Sequence, residues 1–166
     1  MTDDARLIGC GFTYEDMPVG FRFRTMRRTI TETDLVNFIN LTWFTEDIFV
    51  NTHDTGDRAL QGRVVPASLV YSFAEGLVMP SMQFTGIAFL GMELDVKKPT
   101  VVGDTIYARC EVIERRPASR GERGMVRTRN EVVNQRAEVV IAYTPLRIIK
   151  AAGSAPPQSL RGPVTK

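Results

Sequence analysis

Glu46 and Asp47 stand side by side in a segment that also carries Trp43, Phe44 and Phe49. Carboxylates can take up and return protons, the elementary step of acid-base catalysis. Two readings of this pair stay open: charges that solvate a loop, or a displaced carboxylate base sheltered by the surrounding rings. The three rings also have two readings, either packing the loop onto a sheet or lining an apolar pocket. Asn51 could position a water or cap a turn. His53, the single histidine, lies in a polar stretch and reads as a surface residue. Further on, Gly62-Arg63-Val64-Val65-Pro66-Ala67-Ser68-Leu69 opens an apolar run. Pro66 suits the start of a helix, and the free amides of Ala67 and Ser68 just behind it could hold a carbonyl oxygen as it gains negative charge. Ser68 would act as a nucleophile only with a base beside it, and none is in view.

These groups must be positioned by elements that the pattern of apolar residues outlines. Phe12 and Tyr14 are expected to tuck against the body ahead of the turn at Met17-Pro18-Val19-Gly20. Alternation of Phe21, Phe23 and Thr25 with Arg22, Arg24 and Met26 predicts a half-buried strand. Thr31 with Asp34 three residues later forms a capping box, and Leu35, Phe38, Ile39 and Thr42 share one face of the helix it starts. Residues 43–61 form a connection long enough to mark a binding loop. From Ala67 to Met79 apolar residues cover most of the circumference, which predicts a helix packed on several sides. Strands are expected over 84–96, 105–114, 124–133 and 137–149, mostly antiparallel, so that a sheet wraps that helix. Residues 1–150 read as a single domain and 151–166 as a disordered tail rich in Ala, Gly, Ser and Pro.

Composition limits the function. A chain of 166 residues with 43% hydrophobic content fits one soluble domain, and no apolar run approaches a membrane span. The acidic start Met1-Thr2-Asp3-Asp4 does not resemble a secretory signal, and a cytoplasmic protein is expected. Cys10 and Cys110, far apart and outside any CxxC pairing, are expected to be free and to bind no metal. Lys and Arg total 21 against 19 for Asp and Glu, so a nucleic-acid partner is not expected. The run from Arg115 to Arg123 reads as a solvated hairpin loop rather than an anion or nucleic-acid site, with contact to the phosphates of a nucleotide-tailed substrate as a third option.

Three motifs in order resemble one family. Tyr14-Glu15-Asp16-Met17-Pro18-Val19-Gly20, the segment from Gly62 through Leu69, Ser72 and Gly76, and Pro99-Thr100-Val101-Val102-Gly103-Asp104 are similar to the opening, the helix entrance and the "P-x-x-x-G-D" turn of MaoC-like enoyl-CoA hydratases and dehydratases. The resemblance spans residues 12–149 and implies an α+β hot-dog fold, an acyl-CoA or acyl-carrier thioester as substrate, no separate cofactor, and a dimer. The implied reaction is reversible hydration of an enoyl thioester, for which the family uses a "D-x-N-P-x-H" loop. Here Phe44 stands at the Asp place, Glu46 at the Asn place, Asp47 at the Pro place and Phe49 at the His place, and the family's "H-G" at the helix entrance is Pro66-Ala67. Phenylalanine exchanges no proton. The resemblance therefore leaves three options: an enzyme using Asp47 or Glu46 as base, with Trp43, Phe44, Phe49, Gly62, Pro66, Ala67 and Ser68 around the substrate; a non-catalytic acyl-thioester binder or inactive subunit of a heteromer; or a thioesterase.

Overall fold

The computed structural model describes residues 9–53, 62–118 and 121–153. The N-terminal strand expected over 21–27 is split into β1 (Arg22–Arg24) and β2 (Arg28–Thr29), both antiparallel to β7 (Thr105–Pro117). The split falls where the Thr25 hydroxyl accepts the Ala108 amide at 2.9 Å, so a side chain stands in for a ladder carbonyl. Helix α1 (Glu32–Thr42) begins at the expected capping box: the Asp34 amide donates to the Thr31 hydroxyl at 3.2 Å, and the Asp34 carboxylate accepts the Thr31 amide at 2.9 Å. A short helix, α2 (Asp47–Val50), interrupts what the sequence presents as loop. Then come β3 (Val64–Val65) and α3 (Ala67–Val78), followed by a single 3-10 turn at Met79–Met82.

The remaining strands build the wrap. The run expected over 84–96 is broken into β4 (Gly86–Gly91) and β5 (Leu94–Val96); β6 (Thr100–Val101) pairs with β3. Beyond β7 lie β8 (Arg123–Val133), β9 (Val139–Tyr143) and β10 (Leu146–Lys150). The interruption between β9 and β10 is Thr144-Pro145, where proline cannot donate to a ladder. In the main sheet β1 and β2 pair along one edge of β7, β8 pairs along its other edge, β8 also pairs β9 and β10, and these pair β5 and β4 respectively, all antiparallel. Alternate residues Ile106, Ala108, Cys110 and Val112 of β7 and Val126, Thr128, Asn130 and Val132 of β8 are buried, while Arg109, Glu114 and Arg129 are exposed. Of this row, Ile106 and Val132 cluster with Leu69, Val70 and Ala74 of α3, and Ala108 and Cys110 with Val78. One central helix wrapped by an antiparallel sheet is a hot-dog fold, and each aliphatic side chain fully buried there contributes about 1.5–3 kcal/mol.

Two motif positions are explained locally. Gly103 adopts φ +93°, a left-handed conformation that suits glycine, and lets Asp104 turn inward. Asp104 is 2% exposed; its carboxylate accepts the Val101 amide at 3.0 Å and the Gln135 side-chain amide at 2.6 Å, tying the turn to the β8–β9 hairpin. The N-terminal segment packs as expected, with the Phe12 ring 5.1 Å from Phe21 and the Gly11 and Phe12 amides bonded to the Gln83 and Ser81 carbonyls. Ala151 and Ala152 still bond to Glu122 and Glu15, so the body extends two residues into the expected tail, and residues 154–166 lie outside the described residues.

Candidate functional site

Trp43 ends α1 in a left-handed conformation (φ 61°) and is 83% exposed, apart from the other two rings of its segment. Phe44 turns back: its ring centroid lies 5.6 Å from Phe38 and 6.1 Å from Phe49. Phe38 and Phe49 pack in turn on the cluster that holds Val65, Leu69 and Val70. Phe44 and Phe49 are therefore joined in one apolar patch on the main core. Glu46 caps α2 through its backbone and Asp47 begins it; both are exposed, so neither is enclosed by the rings beside it. Asn51 follows α2, and its side-chain oxygen accepts the amide of exposed His53 at 2.8 Å, the turn-capping role. The rest of this connection, residues 54–61, is outside the described residues.

The helix entrance is built next to this patch, since α2 packs on β3 and β3 leads straight into α3. Gly62 sits at φ +114°, and a Cβ there would approach the Val101 side chain at 3.4 Å. Arg63 has a fastening role that the sequence does not disclose. Its Nε donates to the Phe49 carbonyl at 2.9 Å and its guanidinium pairs with Glu32 in the first turn of α1, so it holds the ring-bearing segment over the start of α3. Pro66 occupies the N-cap with extended ψ, and its carbonyl accepts the Leu69 and Val70 amides. The amides of Ala67 and Ser68 are left as first-turn donors, as at any helix start. Ser68 is exposed, and its carbonyl accepts the Ser72 hydroxyl at 2.8 Å.

A polar cluster inside the roll was not read from the sequence. Glu75 of α3 accepts the Tyr143 hydroxyl at 2.7 Å and the Arg147 guanidinium at 2.5 Å. Tyr143 and Arg147 are 1% and 6% exposed. Burial, reinforced by the Glu75 charge, pushes the Tyr143 phenol well above its ordinary range, so it stays a hydrogen-bond donor. Burial likewise pushes the nearby Cys110 thiol up to about 12, which leaves it inert. Asn130, wholly buried, and Thr128 have side-chain polar atoms without a partner among the described residues.

Of the expected Arg-rich loop, Arg115 and Arg116 belong to β7 and Arg123 to β8. Arg115 lies 4.0 Å over the Tyr14 ring, while a groove of about 520 Å³ on the outer sheet face is lined by Arg22, Arg24, Arg109 and Arg129 with Glu111 and Glu131. Cross-strand pairs at 3.1 Å (Arg22 to Glu111) and 2.8 Å (Arg109 to Glu131) make it a solvated charge lattice, on the face turned away from α3. Among the described residues no group of His, Cys, Asp and Glu could hold a metal, and no helix is long and apolar enough to cross a membrane.

Comparison with known proteins agrees with this architecture. The family model described as "FAS1-like, dehydratase domain region" matches residues 18–143. No curated protein matches the sequence. Among solved structures, the monoamine oxidase regulatory protein of Archaeoglobus is similar at 28% identity and TM-score 0.75, over 86% of this chain and 96% of that one. A MaoC-like dehydratase from Rhodospirillum rubrum superposes at TM-score 0.76 and 23% identity, over 85% and 98%. A double-hot-dog protein from Mycobacterium tuberculosis gives TM-score 0.71 and 18% identity; the match covers 97% of this chain but 54% of that one, so this chain spans about half its length.

Proposed function

The chain belongs to the FAS1-like dehydratase-region family, of MaoC-like hot-dog build, and from that premise we propose that it binds an acyl thioester at the start of α3 as the non-catalytic partner of a hydratase-type assembly. The pair Phe44 and Phe49 carries the reading: their rings lie 6.1 Å apart, and the resemblance sets them at the two places from which the family moves protons. A ring at each place supplies apolar contact to an acyl group and no acid or base. The Ala67 and Ser68 amides, aligned with the α3 dipole, supply donors for the thioester oxygen. Gly62 and Pro66 frame that entrance, whereas Trp43 stands exposed and apart from it. Proton transfer then comes from a second hot-dog chain that carries the Asp and His. Coenzyme A and a carrier protein's prosthetic arm present the same thioester group to this site.

Assay of the purified chain with crotonyl-CoA, products identified by mass, tests the reading. The expected result is saturable binding without hydrated product. Hydration by the chain alone, lost in an E46Q/D47N double variant, would return the base role to Glu46 and Asp47. Free coenzyme A without hydrated product would identify a thioesterase.

A further inference from the structure

We propose that the Glu75–Arg147–Tyr143 cluster is a stop for the acyl chain that restricts the site to short acyl groups, an inference that rests on the thioester site proposed at the start of α3. Ala67, Tyr71 and Glu75 follow at four-residue spacing along α3, and all three are half-buried. On one side of this line Ser68, Ser72 and Gly76 are exposed; on the other Val70, Ala74 and Val78 are buried. The line is the boundary between the exposed and buried faces of the helix, and it runs from the thioester place to Glu75. Its first part is apolar: Tyr71 stands edge-on to Tyr143 at 5.3 Å, and Leu94 packs on the same cluster.

At 1.5 Å of rise per residue, a chain running along this line meets Tyr71 after about 6 Å and Glu75 after about 12 Å. There the Glu75 carboxylate is bonded to both Tyr143 and Arg147, and the Phe89 ring from β4 lies 5.7 Å from the Arg147 guanidinium. Beyond the ion pair, Arg147 and Thr128 meet the apolar side chains of Val78, Met82, Val126 and Ile149, which are already packed together. The cavity that Thr128 and Arg147 help to line is about 20 Å³, room for one water and not for a chain tail. Each buried methylene favours binding about fourfold, whereas separating a buried ion pair costs roughly a hundred- to several thousand-fold, so the chain ends where the pair begins.

The test compares butyryl-CoA with octanoyl-CoA by calorimetry on the full chain. Butyryl-CoA is expected to bind about tenfold tighter or more, against the trend in which added methylenes raise affinity. A Glu75→Ala, Arg147→Leu double variant removes both charges together, and in it the butyryl-to-octanoyl affinity ratio is expected to fall at least about tenfold. Octanoyl-CoA bound as tightly as butyryl-CoA by the unaltered chain overturns the stop and leaves the thioester site standing. Binding of neither overturns both. The comparison on the unaltered chain decides the matter even if the double variant fails to fold.

Discussion

Arg63 shows how much of the candidate site hangs on one side chain. It is 16% exposed, donates to the Phe49 carbonyl and pairs with Glu32, whose own side chain is 54% exposed. The pair with Glu32 is therefore screened, and the Nε bond to a part-buried carbonyl dominates. Arg63→Met is expected to lower stability by about 1–2 kcal/mol, a fall of roughly 2–8 °C in the melting temperature of a chain this size. Arg63→Lys is expected to recover less than half of that, because lysine keeps the charge but lacks the planar fork that reaches the carbonyl; full recovery by lysine in a thermal melt would refute the account. The glycine next to it was legible in the sequence, since Gly62 opens a recognisable turn. Arg63 was not, because its partners lie far back in the chain. Glu75 was hidden for the same reason: Tyr143 and Arg147 are 68 and 72 residues away, so nothing local marks it as buried.

At the scale of elements, short-range chemistry was legible and interruptions were not. The Thr31–Asp34 box, the Gly103-Asp104 turn and the largely apolar α3 depend on neighbours within a few residues, and each appears where expected. Helix α2 has only four residues and no periodicity to detect, and the break between β4 and β5 at Met92-Glu93 leaves no mark in a run of strand formers. The box also makes a pH prediction. Partial burial works against the Asp34 carboxylate, but the Thr31 amide and hydroxyl, together with Arg28 at 2.8 Å, outweigh it and hold the carboxyl below its ordinary value of 3.8. A group depressed in the folded state adds stability that is complete above the ordinary value and is lost as pH falls through the folded one. Asp34→Asn is therefore expected to cost about 1 kcal/mol at pH 7, with the gap to the unaltered chain closing below about pH 4. Urea melts across that range would show it; a constant gap would mean that the charge contributes nothing.

For the whole molecule, the open question is what covers the free edge of the sheet. Among the described residues strand β4 pairs only with β10, and five of its six residues are exposed. Ile87, Phe89 and Leu90, with Met92 and Val96 beyond, are 37–55% exposed, and the strand's alternation puts apolar groups on both of its faces. No proline or charge blunts Gly86–Gly91, so the edge invites another strand, and a second copy of β4 running antiparallel would satisfy its backbone and cover both faces at once. Phe89 also lies beside Arg147, so such a seam would close over the proposed acyl stop as well as the edge. Leu90→Lys places a charge in that seam without touching the ion pair. The unaltered chain is expected to sediment as a dimer at micromolar concentration and Leu90→Lys as a folded monomer, its circular dichroism preserved. Dimers that persist in the variant would move the interface elsewhere, and an unaltered chain that stays monomeric would mean that β4 is covered by a different hot-dog chain, the arrangement in which a partner supplies the missing acid and base.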